Sequence, residues 1–96
     1  MALVEMSEEA LLEQMVEECG ELVQAAAKRL RILRGESPTP VTLQENDEAL
    51  KEEMADVRLC TSIYLEKRSL ESYEYAEDVY SLLGRKKARW EERLKK

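Results

Sequence analysis

Histidine is absent from this chain of 96 residues. Histidine is the commonest general base in enzymes and the commonest protein ligand of metals such as zinc. Any catalysis must therefore rest on carboxylates or on Lys, Arg, Tyr or Cys. Cysteine is scarce as well, and its two copies, Cys19 and Cys60, fall on apolar helix faces. We expect both to be free buried thiols rather than a disulfide or a redox pair.

The sequence also lacks an apolar run of membrane-spanning length. Its first residues, MALVEMSEE, have no basic segment followed by an apolar one, so no signal peptide is expected. These features predict a cytoplasmic protein without a membrane partner. The net charge of −6 argues against binding to a nucleic acid polymer. It does not exclude a small polyanionic substrate, because bound divalent cations reverse the local charge.

Glycine and proline are rare, whereas 38% of the residues are charged and 44% are hydrophobic. This composition is typical of helical proteins, and no strand alternation or internal repeat is visible. Ser7 is the predicted N-cap of a first helix that reaches Arg34, with Gly35 as its stop. The prolines in the stretch 35–41 predict a loop there.

The second helix is predicted from Leu43 to about Lys67, after a capping box formed by Thr42 and Glu45. A third begins at about Ser69 or Ser72 and runs to near the C-terminus. Three long helices with short connections predict an all-α fold, an antiparallel helical bundle, with residues 1–96 as a single domain.

The apolar residues of the predicted helices exceed what one small core needs. On the first helix they form one continuous stripe of Leu12, Met15, Val16, Cys19, Leu22, Val23, Ala26, Leu30 and Leu33. Leu11 broadens this stripe, and Leu59 and Ile63 lie off the apolar face of the second helix. Surplus apolar surface indicates a partner site, so we expect a homodimer or a homotetramer.

Two pairs of acidic residues share a three-residue spacing. Glu18 and Glu21 lie on the first predicted helix, and Glu53 and Asp56 lie on the second. Residues three apart share a helix face, so two packed helices can bring four carboxylates together. Their mutual repulsion makes sense mainly if a cation lies between them, and carboxylate oxygens suit Mg²⁺ or Mn²⁺.

Glu53 has the strongest individual indication of a function. It falls within the apolar stripe of the second helix, where a carboxylate loses its hydration unless it gains a partner. That partner can be a metal ion, or an arginine in a buried ion pair. The other interpretation of the acidic residues is a solvated surface, because the chain has 21 Asp and Glu in all.

The residues around these acids resemble a known family. EECGEL at residues 17–22 and EMADV at residues 53–57 are similar to the E-E-x-x-E and E-x-x-D signature of MazG-type all-α nucleotide pyrophosphohydrolases. The resemblance covers about residues 8–66. In this chain the stretch between the two motifs, residues 22–52, is longer than usual for the family.

The resemblance implies Mg²⁺-dependent hydrolysis of a nucleoside triphosphate to a monophosphate and pyrophosphate. It implies that Glu18, Glu21, Glu53 and Asp56 are the metal ligands, while Glu17 is either a ligand or orients the attacking water. It also implies an oligomer in which a neighbouring subunit completes a four-helix core.

The C-terminal segment is strongly basic, with Lys86, Arg89 and Arg93 on one predicted helix face. Similar basic residues close the pocket in the resembled family, so we expect these three to contact substrate phosphates. A solvated basic helix end is the alternative. Trp90 can stack on a base or serve as a packing anchor.

Two other functions stay open at this point. One is a non-catalytic helical interaction module, and the other is a nucleotide sensor that has kept the fold without turnover. The leading hypothesis is the pyrophosphohydrolase, with a role in clearing modified or surplus nucleotides. The sequence does not identify the base or the sugar of the substrate.

Overall fold

A computed structural model describes residues 2–36 and 41–95. A short 3₁₀ turn at Leu3–Glu5 precedes three helices: α1 (Glu8–Leu33), α2 (Leu43–Glu71) and α3 (Glu74–Leu94). No strand occurs in the described residues, and the predicted all-α fold with three helices is confirmed. Both prolines of the predicted loop lie at residues 37–40, outside the described residues.

Local signals set both ends of α1 as predicted. The Ser7 side chain accepts a hydrogen bond from the Ala10 N–H at 3.1 Å, which satisfies one of the free donors of the first turn. At the other end, Gly35 adopts a φ of 69°, a conformation that L-residues rarely take. Its N–H donates to the Ile32 carbonyl, so the helix stops here.

The start of α2 agrees with the prediction, but its end does not. The Thr42 hydroxyl accepts from the Glu45 N–H at 3.1 Å, as a capping residue should. The third helix begins at Glu74, two residues after the later of the two predicted starts, about Ser69 or Ser72. Ser69 donates its hydroxyl to the Leu65 carbonyl at 2.7 Å inside α2, and the Ser72 N–H donates to the Arg68 carbonyl. Both serines therefore belong to the end of α2.

The chain divides into two compact units, residues 1–64 and 65–96. In the first, α1 and the part of α2 that ends at Tyr64, about six turns, run antiparallel. Near the start of α1, the Tyr64 hydroxyl donates to Glu8 at 2.7 Å. Near its end, the Asn46 amide donates to the Ala25 carbonyl at 3.0 Å and accepts from Arg29 at 2.7 Å. Arg29 also forms an ion pair with Asp47.

The two helices meet along one line of buried and half-buried side chains, which we call the seam. Steps of four and three residues alternate along it and keep its members on one face of each helix. Asn46 and Leu11 are its most buried members, each 1% exposed. The seam consists of Leu11, Met15, Glu18, Leu22, Ala25, Arg29 and Ile32 of α1 and of Asn46, Leu50, Glu53, Val57, Cys60 and Tyr64 of α2.

The apolar stripe predicted on α1 is only partly correct. Met15, Cys19 and Leu22 are half-buried, but Val16 is 75% exposed and Val23 is 67% exposed. The stripe is broader than one neighbouring helix can cover, and the packed edge is the one that contains Leu11. The uncovered edge, here called the outer stripe, consists of Leu12, Val16, Val23, Ala26, Leu30 and Leu33.

The second unit contains the last turns of α2 and all of α3. The Arg68 guanidinium lies 4.4 Å from the centroid of the Tyr75 ring, which links the two helices by a cation–π contact. None of the residues of α3 is buried, and Trp90 is 67% exposed. Trp90 is therefore not a packing anchor within this chain. No helix in the described part of the chain is both long enough and apolar enough to cross a membrane.

Candidate metal centre

The four predicted acids converge at the middle of the first unit. Glu18 and Glu53 occupy seam positions on α1 and α2, and Glu21 and Asp56 lie one turn further along each helix at the exposed edge. One carboxylate oxygen from each of the four lies within 4.8 Å of those from the other three. The long stretch between the two motifs therefore does not separate the four acids, because most of its residues belong to the long helices α1 and α2.

Two oxygens of this group have no partner. Glu18 Oε2 and Glu53 Oε2 are buried, and neither makes a hydrogen bond with any residue that the structure describes. The other oxygen of Glu18 accepts from the Gln14 amide at 2.7 Å. An unsatisfied buried carboxylate oxygen is costly and rare in folded proteins, so these two atoms require an explanation.

The electrostatics of the cluster disfavour four free charges. Loss of hydration raises the pKa of Glu18, and the nearby Asp56 and Glu21 charges raise it further, although the Gln14 hydrogen bond acts in the opposite direction. The hydrogen bond and the charge of Glu53 are the main reasons that the pKa of Glu21 is raised. Both directions are those expected for carboxylates that share one small site.

A buried ion pair does not explain Glu53. Among the described residues, the arginines with acidic partners are Arg29, paired with Asp47, and Arg68, paired with Glu71. Glu53 instead faces other carboxylates. The alternative raised for this residue from the sequence therefore finds no support within the described chain.

The donor set fits a hard divalent cation. All four candidate ligands are carboxylates, and oxygens are the ligands that Mg²⁺ and Mn²⁺ prefer. Two oxygens on opposite sides of Mg²⁺ lie about 4.2 Å apart, at twice the usual metal–oxygen distance. The observed separations, all below 4.8 Å, need only small side-chain rotations to reach that arrangement. A cation would also satisfy the two unpartnered oxygens.

The remaining predicted site residues are not members of this four-oxygen cluster. Glu17 is exposed and outside the four-oxygen group, although its charge contributes to the raised pKa of Glu21. Lys86, Arg89 and Arg93 are exposed on α3, where their spacing along one unbroken helix gives them a common face. Their predicted contact with phosphates stays a prediction. Cys19 and Cys60 are free thiols, as expected, with Cys60 buried and Cys19 half-buried.

Two recesses in the first unit include acids of the cluster in their walls. The first, with a volume of about 160 Å³, is polar and contains Glu21, Glu53, Lys28 and Asn46 among its lining residues. The second, of about 200 Å³, contains the other two acids of the cluster, Glu18 and Asp56, among its lining residues. Its walls are mainly apolar and include Leu11, Leu59, Cys60 and Ile63.

Sequence reasoning did not identify Gln14, Lys28 or Asn46. Asn46 had a detectable signal, because it lies seven residues before Glu53 and so is a polar residue on the same apolar face of α2. Gln14 had a weaker signal: it lies four residues before Glu18, so the two side chains share a helix face. Nothing in the local sequence distinguishes Lys28 from the other basic residues near the end of α1.

The structure thus defines an all-α protein in which two antiparallel helices present a centre of four carboxylates. Over residues 6–89 the chain matches the MazG nucleotide pyrophosphohydrolase domain, and it belongs to that family. Members of the family are generally nucleotide pyrophosphohydrolases and are typically metal-dependent. No significant match was found among curated proteins or among solved structures.

Proposed function

We propose that this chain hydrolyses a nucleoside triphosphate to a nucleoside monophosphate and pyrophosphate. The reaction consumes one water and breaks the anhydride between the α- and β-phosphates. The cofactor in this proposal is Mg²⁺ or Mn²⁺, held by Glu18, Glu21, Glu53 and Asp56. When bound, such a cation neutralises phosphate oxygens and lowers the pKa of water at the site.

One observation carries the proposal. Glu18 and Glu53 each bury a carboxylate oxygen that has no partner among the described residues, and both belong to a group of four converging carboxylates. A solvated acidic surface would leave these oxygens in water, and a structural ion pair would give them a cationic side chain. Family membership supports the same reaction class.

Other residues have supporting roles in this proposal. Gln14 donates to Glu18 at 2.7 Å and restricts the rotation of its carboxylate. Glu17 is exposed next to the cluster, so it can accept a hydrogen bond from the attacking water. Lys86, Arg89 and Arg93 contribute charge-assisted hydrogen bonds to the phosphates.

We also propose that the active protein is a homodimer or homotetramer whose subunits complete a four-helix core. The outer stripe of α1 and the exposed apolar residues of α3 supply the apolar surface for such contacts. The two free thiols fit a reducing compartment such as the cytoplasm. The proposed cellular role is removal of modified or surplus nucleotides.

The test is a panel of common and modified nucleoside triphosphates, assayed for pyrophosphate release with Mg²⁺ and with EDTA. We expect pyrophosphate and monophosphate in equal amounts from at least one substrate, only with the metal. Nucleotide binding without turnover would instead indicate a sensor. Neither binding nor turnover across the panel would indicate an interaction module.

A further inference from the structure

The polar recess contains one lysine whose ammonium group has no partner among the described residues. Lys28 is half-buried on α1 and lines this recess together with Glu21 and Glu53. It is the one basic residue among the described residues that line it. No ion pair or hydrogen bond connects the Lys28 ammonium to another residue in the described part of the chain.

The neighbours of Lys28 explain why its charge stays available. Four residues earlier on α1, where an acidic partner would sit, the residue is Gln24. Glu45 also lines the recess, but among the described residues no ion pair joins it to Lys28. The closest arginine along the chain, Arg29, is held by Asn46 and Asp47. A half-buried ammonium facing a cavity is suited to an anion that enters from outside.

The two recesses differ in the chemistry that they offer to a nucleotide. The recess with Lys28 and Asn46 has polar and apolar surface in similar amounts, whereas the one with Leu11, Leu59 and Ile63 is mainly apolar. Acids of the cluster contribute to both. Phosphate oxygens favour cationic donors, and a base favours apolar walls with a few polar groups.

Resting on the proposed function, we propose that Lys28 binds the phosphate oxygens of the leaving pyrophosphate. The substrate then lies across the four acids, with its phosphate chain in the polar recess and its nucleoside toward the apolar recess. Seven residues separate Lys28 from Glu21, about 10 Å along the helix axis. Lys28 is therefore a substrate-binding residue at the far end of the phosphate chain, not a metal ligand.

Calorimetric titration with magnesium pyrophosphate tests the assignment without requiring turnover. Lys28→Ala should weaken pyrophosphate binding by about tenfold, the effect of losing one hydrogen bond between charged groups. Lys28→Arg should retain most of the binding because it keeps the charge. Lys51→Ala is the matched control, since Lys51 is an exposed lysine of α2 that pairs with Glu48.

Product inhibition tests the orientation separately. In Lys28→Ala, pyrophosphate should become a weaker inhibitor by a similar factor, while inhibition by the nucleoside monophosphate should change less than about twofold. Equal pyrophosphate binding by Lys28→Ala and Lys51→Ala would overturn the inference. Selective loss of monophosphate inhibition would also overturn it, because the nucleoside would then occupy this recess.

The two proposals fail in different ways. If the wild-type protein releases no pyrophosphate from any triphosphate, the proposed function is wrong, and the calorimetric comparison still decides whether Lys28 binds pyrophosphate. If the wild type is active and Lys28→Ala binds pyrophosphate normally, only the role of Lys28 is wrong. Melting curves of the variants verify that each is folded.

Discussion

Glu18 of α1 and Glu53 of α2 occupy the same buried seam, and each leaves its Oε2 atom without a hydrogen-bond partner among the described residues. Apolar or paired side chains at these two positions would stabilise the helix pair more. Two unneutralised carboxylates there destabilise the metal-free fold, and a cation bound between them would offset that cost. This relationship is the basis of the proposed metal centre and of the predictions below.

Replacing Glu53 with Gln should abolish turnover while preserving the fold. The amide keeps the shape of the side chain but removes the charge that a cation needs. Because metal catalysis supplies several kcal/mol of transition-state stabilisation, we expect pyrophosphate release to fall at least about 100-fold. The metal-free variant should melt at or above the wild-type temperature, since repulsion is relieved. Glu52→Gln, at an exposed neighbouring position, is the control and should remain active.

The stability of the metal-free protein should increase as the pH falls from neutral. Glu18 and Glu21 have folded-state pKa values raised above the ordinary value of 4.5. The folded state therefore takes up protons before the unfolded state does, so the contribution of these groups is complete below pH 4.5 and is lost as pH rises through the raised values. Urea unfolding in EDTA at a series of pH values measures this dependence.

A Glu18→Gln/Glu21→Gln double variant is the control for the pH series. Its free energy of unfolding should lose most of its dependence on pH above pH 4.5, because the two carboxyl groups with raised pKa values are absent. Added Mg²⁺ should reverse the trend in the wild type, since protons compete with the metal for the same oxygens. A wild-type protein whose stability in EDTA decreases steadily from neutral pH to about 5 would contradict the electrostatic account of the cluster.

The basic face of α3 should affect substrate binding more than stability. Lys86→Ala and Arg93→Ala each remove a charge from an exposed position, so the free energy of unfolding should change by less than about 0.5 kcal/mol. KM should rise about tenfold if each makes one charge-assisted bond to phosphate. Steady-state kinetics at saturating Mg²⁺ measure this, with Lys87→Ala as a control on another face. Unchanged KM in both variants would identify the segment as a solvated helix end.

The outer stripe of α1 should mediate self-association. Val16 and Val23 are 75% and 67% exposed, a large apolar surface for one helix of a free monomer. Light scattering at micromolar concentration should therefore give a mass of at least twice the 11.1 kDa of one chain. Val16→Glu/Val23→Glu should shift the protein to the monomer. A wild-type monomer, or an unchanged mass in the double variant, would refute this role of the stripe.

Much of the fold and of the metal centre followed from local features of the sequence. Ser7, Thr42 and Gly35 act through hydrogen bonds and backbone preferences within a few residues, so the helix ends next to them were predictable. The convergence of Glu18 and Glu53 was predictable for a related reason. Each belongs to a pair of acids three residues apart. In a long helix, two residues at that spacing lie on the same face.

Other features depended on packing that local sequence does not encode. The apolar residues of α1 cover two adjacent stripes, and only the position of α2 decides that Leu11 is buried while Val16 is exposed. The predicted end of α2 at about Lys67 falls short of the observed end at Glu71, because Ser69 does not start a new helix and its hydroxyl donates to the Leu65 carbonyl within α2. The proposed role of Lys28 depends on the recess between two helices, which local sequence does not reveal.

Binding of Mn²⁺ to the wild type, Glu53→Gln and Glu52→Gln, measured by calorimetry at constant ionic strength, tests the central claim most directly. The four-carboxylate centre predicts a saturable site in the wild type and in Glu52→Gln. At 100 times its Kd, Mn²⁺ should add about 2.7 kcal/mol to the free energy of unfolding of both proteins. Glu53→Gln should bind at least about tenfold more weakly. Equal affinity in all three proteins, or no saturable binding in the wild type, would contradict the account.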